Sequence, residues 1–538
     1  MPGVARWLEI VLLAGALVLG GACAAQATEA LVPLARIGPW SAISGLVGYG
    51  ERLWFVNSVK YVDHNSADVY SFNPRTGSVE YERHLFSQDA GWPAVAGGLL
   101  YWPFEDARFS VGRGEFMVTN GQAWQWRVIP KGRVLHVHAM LSHADQLYAA
   151  TGGFNASLQR SKDGGLTWQI IDEHRNKAGS FSRLISLAAL GSDLYAGLYT
   201  SAEDGPKLLR LDGDRLVPVP GWPPGDDADQ LTAHHGWLYA IHRTAKGSSV
   251  WRTNGQGAEL VGGLAGMAVR ALAAGPGALW AIGEDESGGM LWQSADGLAW
   301  RVAQRFTGDR PIDLAVYAGR PYVGMIGADG RGALWGPAPP SSVEPAAAPR
   351  PLPHDAPATA ANDLLEDLLA ELDRVLGDLG SLEAHGGTLL DVLEPIVRLR
   401  SPAAGDALVR RLGGVSAGPQ RVRFAGRTVG LAEKADWQLL WAMARTGHGR
   451  VPLELLMRPW TERPNRGEKY VAAPPGAAWV AGELKQSDPA TLAALIAHLG
   501  RPGDPAWLRG DIIGALTALT GQRFGYDIAA WQAWWAKQ

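Results

Sequence analysis

From residue 30 to about residue 340 the apolar residues fall in short runs separated by Gly, Asn, Asp and Pro. That is the spacing of strands and turns rather than of helices. One signature recurs inside these runs, an apolar residue followed by Trp or Tyr. It reads RLWFV (Trp54), LLYWP (Tyr101), QLYAA (Tyr148), DLYAG (Tyr195), WLYAI (Tyr239), ALWAI (Trp280) and RPYVG (Tyr322), at successive intervals of 47, 47, 47, 44, 41 and 42 residues. About one hairpin after each aromatic comes a second apolar run, which usually ends in an Asn-Gly or Asp-Gly turn. A third run, such as RLISLAAL, lies upstream of each. Each unit therefore carries three or four short strands, and the period is that of propeller blades. Seven units are predicted over residues 30–338. The last is one strand short after GALWG, while a spare strand, ALVPLARIG (Ala30–Gly38), precedes the first. That strand is expected to complete the last blade and close the ring, leaving no open edge.

The period changes after residues 339–361, a Pro/Ala-rich stretch that reads as a semi-extended linker. Leu364, Leu365, Leu368, Leu369, Leu372, Val375, Leu376 and Leu379 then share one face at helical spacing, with Asn362 or Asp363 as N-cap. Further helices are expected over 389–400, 403–412, 433–445, 491–499, 508–519 and 529–537. RVRFAGRTVGL (Arg421–Leu431) alternates like a small hairpin. The predicted fold class is mainly β: a seven-bladed β-propeller, the linker, then a small α-helical domain over 362–538.

Composition sharpens this picture in two ways. The 68 Gly and 34 Pro suit many turns. A formal net charge of −4 gives no basic field, so nucleic acid is not an expected partner. The N-terminus carries Arg6 and then the apolar LEIVLLAGALVLGGA, the pattern of a signal peptide over residues 1–27. Two cleavage readings stand. AQA (Ala25–Ala27) fits cleavage before Thr28. LGGAC (Leu19–Cys23) resembles a bacterial lipobox with Cys23 lipidated, although Gly20 sits where an aliphatic residue is usual. Cys23 is the only cysteine, so a mature chain has no internal disulfide. Either reading exports the protein to the periplasm or cell envelope, with membrane anchoring only through a lipidated Cys23.

SKDGGLTW (Ser161–Trp168) and SADGLAW (Ser294–Trp300) join the last two strands of their units. Ser161, Asp163, Ser294 and Asp296 can accept from turn N–H groups. Gly165 and Gly297 tolerate positive φ, and Trp168 and Trp300 can fold beneath the turn. VTNGQAW (Val118–Trp124) and RTNGQGA (Arg252–Ala258) are degenerate relatives. These turns resemble the Asp boxes of the BNR, sialidase-like propeller superfamily. The resemblance implies a propeller over roughly 30–340 with structural turns at the periphery, away from the channel mouth where ligands bind. It carries over no catalytic residue, and the RIGP of Arg36–Pro39 departs from the sialidase Arg-Ile-Pro segment at Gly38. The closing ALTALTGQRFGYDIAAWQAWW (Ala515–Trp535) resembles the terminal helices of bacterial HEAT-type repeat proteins, which implies a stack that binds other proteins.

Polar residues near the starts of the innermost strands are the candidate ligand-binding set at the channel rim: Asp89, His136, His138, Arg183, Asp229, Arg270 and Asp313. In HVH, His136 and His138 share one face of a strand. They can offer two metal ligands or bond to loop carbonyls. Asp229 and Asp313 can act as a carboxylate pair, with Arg183 and Arg270 as anion clamps. His234 and His235 are expected in a solvent-facing turn. The segments WPFEDARF (Trp102–Phe109) and GFNAS (Gly153–Ser157) are longer than a tight turn needs. The sequence contains no HExxH, P-loop, GxSxG or GxGxxG motif, and no cofactor, metal site or catalytic residue is predicted. The expected function is a non-catalytic exported scaffold, binding a protein partner through the propeller rim or the helical domain. The alternative is a glycan-binding protein or a glycoside hydrolase of sialidase-like propeller type.

Overall fold

The computed structural model describes residues 30–60, 66–109, 112–130, 132, 134–153, 155–175, 181–200, 205, 207–338, 351–352, 362–384, 388–414, 421–424, 427–457, 473–501 and 506–538. The leader with Cys23, almost all of the 339–361 linker, and Phe154 of GFNAS lie outside the described residues. Leu31–Gln538 forms one compact unit. Among the described residues no helix is long and apolar enough to cross a membrane.

The strands pair into seven antiparallel four-stranded meanders among the described residues, spanning 42–84, 94–129, 134–175, 182–218, 227–260, 268–306 and 310–336 with 32–37. These are the blades of a propeller, numbered one to seven below. Val32–Ile37 pairs antiparallel with Gly332–Gly336, from Val32↔Gly336 to Ile37↔Gly332, and so supplies the fourth strand of blade seven. The first strand of the chain thus completes the last blade, as expected. Side chains fasten it. Gln304 accepts from the Leu31 amide (2.7 Å) and donates to its carbonyl (2.9 Å). Arg36 forks onto Asp309 at 2.8 and 2.7 Å.

The recurring aromatic and the recurring Gly turn meet each other between neighbouring blades. In four neighbouring pairs the turn of blade n+1 sits on the aromatic of blade n. Tyr101 of blade two donates to the Gly164 carbonyl (3.1 Å), and Tyr239 of blade five to the Asp296 carbonyl (3.4 Å). A Cβ on Gly297 would lie 1.9 Å from the Tyr239 hydroxyl, and Gly297 has φ +74°, so only glycine fits there. Trp54 and Tyr195 stand in the same relation to Gly121 and Gly255. Inside the turns the bonding is as expected. Ser161 Oγ accepts from the Gly165 amide (2.8 Å), and Asp163 from the Leu166 and Thr167 amides (3.1 and 2.9 Å). Ser294 accepts from Gly297, and Asp296 from Leu298 and Ala299, all at 2.8 Å. In the degenerate forms Thr119 with Asn120, and Thr253 with Asn254, take the same positions. Trp168 is buried edge-on against Phe116 of blade two, whereas Trp300 is only half-buried. Because Asp163 is exposed, Asp163→Ala is expected to lower stability by only about 1 kcal/mol. Thermal melting checks this, and ligand binding at the channel should not change.

The helical segment follows the predicted period closely. Helices span Asn362–Gly377, Leu389–Leu399, Pro402–Val409, Leu431–Thr446, Pro489–Leu499, Ala506–Thr520 and Ile528–Trp535. Leu379–Ala384, Leu453–Met457 and Ala473–Glu483 are additional. The last begins APPG, and prolines in a first helical turn cost no hydrogen bond. The hairpin is present, with Arg421–Phe424 paired to Arg427–Gly430. Of the terminal tryptophans only Trp531 is fully buried, donating to the Gly525 carbonyl at 2.9 Å.

The helices are packed on the outer strands of blades one and two rather than held away from them. Trp479 stacks on Phe86 at 5.2 Å, and Trp437 lies 5.2 Å from Phe109. Around these rings are ion pairs between Arg113 and Glu394 (2.6 Å), Arg523 and Glu82 (2.8 Å), and Arg83 and Glu483. At the centre is a chain of groups built on the fully buried Asp68, His84 and Asp511. His84 bonds through Nδ1 to Asp68 (2.8 Å) and through Nε2 to Asp511 (3.2 Å). Arg108 pairs with Asp511, while Tyr526 and the Trp40 indole donate to Asp68 at 2.8 and 2.6 Å. Burial opposes the charged imidazole, but the Asp68 and Asp511 carboxylates outweigh it and hold His84 up at about 9.

Candidate functional site

The innermost strands of blades one and three to seven each carry a register shift near their starts, for example between Val134 and His136 and between Asp229 and Thr232. Such bulges re-aim side chains at the rim. Blade two differs, since its inner strand is only Ala94–Ala96. The segment before it is stitched to blade three by a Trp92–Ala139 bridge, with Trp92 N–H donating to the His138 carbonyl at 2.7 Å. Gly91 makes this approach possible, because a Cβ there would lie 2.3 Å from the His138 oxygen.

A charged cluster gathers here from blades one to four. The rings of His136 and His138 stack at 5.1 Å with 21° between planes. WPFEDARF reaches over them and contributes Glu105. Its Oε1 lies 3.7 Å from His136 Nδ1 and 4.0 Å from His138 Nδ1, and its carbonyl accepts from His136 Nδ1. Asp106 is 3.9 Å from His136 Nδ1. Lys60 is ion-paired with Asp89, and Arg183 acts electrostatically on both Glu105 and His138. Burial, with Asp106 and then Asp89 adding like charge, pushes Glu105 up to about 7. Burial, then His136 and Arg183, push His138 well below the usual imidazole range. Phe181 and Tyr199 face each other at 5.2 Å beside Arg183, whose guanidinium lies 5.6 Å from the Phe181 ring.

The other predicted rim residues have different surroundings. Asp229 and Asp227 share Arg243 at 3.0 and 3.2 Å, and burial pushes Asp227 up to about 6 against that arginine. Arg270 pairs with Glu284 at 2.9 Å. Arg243 and Arg270 line a shallow cleft of 390 Å³ with Gln230 and Ile312. Asp313 is 1 % exposed and accepts from the Leu46 and Leu314 amides at 2.9 and 2.8 Å. It is a staple between blades seven and one, and burial raises its pKa. Asp229 and Asp313 thus each have partners of their own, and Arg270 serves a carboxylate of its own blade. His234 departs from the solvent-facing expectation. It is buried beneath the blade-six turn with Nε2 3.3 Å from the Ala295 carbonyl, and only His235 is exposed.

No protein-family profile matches this chain, and no curated protein sequence matches it. Among solved structures, the β-propeller domain of the trilobed protease from Pyrococcus furiosus superposes with a TM-score of 0.40 and 9% identity, covering 55% of this chain and 96% of that one. The acylaminoacyl peptidase of Pyrococcus horikoshii gives 0.38 and 8%, covering 54% of this chain and 51% of that one. The computationally designed Ika8 protein gives 0.37 and 13%, covering 56% and 99%. The chain is a β-propeller with a helical C-terminal region. That assignment rests on its own strand pairing.

The charged cluster includes three residues absent from the predicted rim set, Glu105, Asp106 and Lys60. Glu105 had a signal, the excess length of WPFEDARF. Lys60 had none, because it follows the second strand of blade one and reaches Asp89, 29 residues on, only once that blade has folded.

Proposed function

We propose that this chain is an exported, non-catalytic binding scaffold of the periplasm or cell envelope, an Asp-box type propeller carrying a HEAT-like helical layer. The observation that supports this reading is the docking of the helices. The buried Asp68–His84–Asp511–Arg108 network ties them to blades one and two. The result is one compact unit instead of a tethered recruiting arm. The surface left for a protein partner is then the rim at Lys60, Phe181, Arg183 and Tyr199, where aromatic and cationic groups stand together on a rigid support. Capture from envelope extract by the full chain tests this. Wild type and Arg410→Ala, on the exposed helical face, are expected to retain the same partner. Arg183→Ala is expected to lose it. Loss from Arg410→Ala instead would move binding to the helices. Intact mass of the mature chain distinguishes an acylated Cys23 from a start at Thr28.

One observation favours a second reading, a glycan-active enzyme. Glu105, raised to about 7 and flanked by Asp106 and Asp89, has the character of a general acid beside two further carboxyl groups. Turnover of aryl glycosides that vanishes in Glu105→Gln would establish this reading and overturn the non-catalytic one.

A further inference from the structure

We infer that Glu105, His136 and His138 form a binding site for a divalent first-row transition-metal ion of the zinc type. One ligand atom from each lies within 4.8 Å of the others. Metal–ligand bonds of about 2.1 Å at tetrahedral angles need ligand separations of about 3.4 Å. Glu105 Oε1 lies 3.7 and 4.0 Å from the Nδ1 atoms of the two imidazoles, so the carboxylate already stands beside both rings, and ligation through their Nε2 atoms requires the side chains to turn. The donor set is two imidazoles and one carboxylate, which suits zinc, cobalt or nickel and leaves a coordination position open.

Three features argue for a ligand rather than for a satisfied pair of histidines. His138 is 8 % exposed, and its Nε2 is buried without a hydrogen-bond partner. A buried polar atom left that way costs free energy that a bound ion would remove. His136 is oriented through Nδ1 on the Glu105 carbonyl, a backbone bond of the kind that positions metal-binding imidazoles. The surrounding charge also suits a cation. Glu105, Asp106 and Asp89 stand against Lys60 and Arg183, so the carboxylates outnumber the cations. The three ligands come from two blades, so an ion would cross-link WPFEDARF of blade two to the inner strand of blade three.

Isothermal titration of tag-free, chelator-treated full-length protein with zinc chloride tests the site, with cobalt chloride giving a visible ligand-field spectrum. The expected result is one zinc per chain and a higher melting temperature. His138→Gln and Glu105→Gln should each weaken binding more than about tenfold. His235→Gln, an exposed imidazole elsewhere, should bind like wild type. If either ligand variant shows a wild-type affinity with an unchanged circular-dichroism spectrum, or if wild type takes up no zinc, cobalt or nickel at millimolar concentration, the inference is overturned. The readout is independent of partner capture, so a failure here leaves the scaffold reading standing, and the reverse holds too.

Discussion

Replacing Asp511 by alanine is expected to destabilise the protein by about 3–5 kcal/mol, the range for removing one partner from a buried ion network. The carboxylate is fully buried and faces both His84 and Arg108. Without it a charged imidazole and a guanidinium each lose a buried carboxylate partner. The helix that carries Asp511 lies unusually close to the strand that carries His84. Cβ atoms on Gly510 and Gly514 would fall 2.9 Å from the His84 ring and side chain. The site therefore has no room for water to take over the lost bonds. Urea unfolding followed by tryptophan fluorescence measures the loss. Hydrogen exchange should locate it in Val79–His84 and Ala506–Thr520. Asp511→Asn, which keeps the shape and part of the hydrogen bonding, should lie between wild type and alanine. A change within about 0.5 kcal/mol would show that the network is not what holds the helices.

The second large effect is on pH dependence. His84 is raised from 6.5 to about 9 in the folded state. A raised pKa means that the folded protein binds the proton more tightly than the unfolded chain. The contribution is fully present below 6.5 and is lost as pH climbs through 9. The shift corresponds to about 3 kcal/mol. Glu115, beneath the same helices, works in the same direction. Burial outweighs Arg445 and the Trp126 bond and raises it from 4.5 to about 8. Stability is therefore expected to fall steadily between pH 6.5 and 9, with the helical layer loosening first. His84→Gln should be less stable at pH 6 and show a flatter profile above it. Unfolding curves at pH 6, 7.5 and 9 for both proteins decide the matter. Parallel profiles would assign the slope to other groups.

The propeller was legible in the sequence because its grammar is local. Hairpin turns such as SKDGGLTW declare themselves within eight residues, and the Trp/Tyr period counts the blades. Even the closing strand was visible, as an excess at one end matching a deficit at the other. The contact that unites those signals, Tyr239 beneath Gly297 or Tyr101 beneath Gly164, could not be seen, since it joins one unit to the next. The candidate site was half legible. His136 and His138 announce themselves two apart on a strand. Glu105 joins them only through the stitched loop of blade two, and Lys60 only through the folding of blade one against Asp89. The seating of the helices was hidden by composition. A Pro/Ala-rich connector reads as separation, while His84 and Asp511, 427 residues apart, carry nothing in their neighbourhoods that pairs them. Gly510 and Gly514 in the middle of a helix were the one trace, small residues where a close neighbour must pass.

Val32–Ile37 has a consequence for the order in which the molecule can assemble. A ribosome makes that strand first and its partner, Gly332–Gly336, some three hundred residues later. Until then that strand has no partner and the nascent ring stays a horseshoe. The outer strand of blade one waits longer still, for the helix Ala506–Thr520 that covers it. Both ends of the chain thus return to complete what was made at its start. Such distant pairings slow folding and leave sticky edges bare in the meantime. Once made, they join segments hundreds of positions apart in one cooperative unit, so deleting Val32–Ile37 should weaken blade seven and deleting Ala506–Thr520 should weaken blade one.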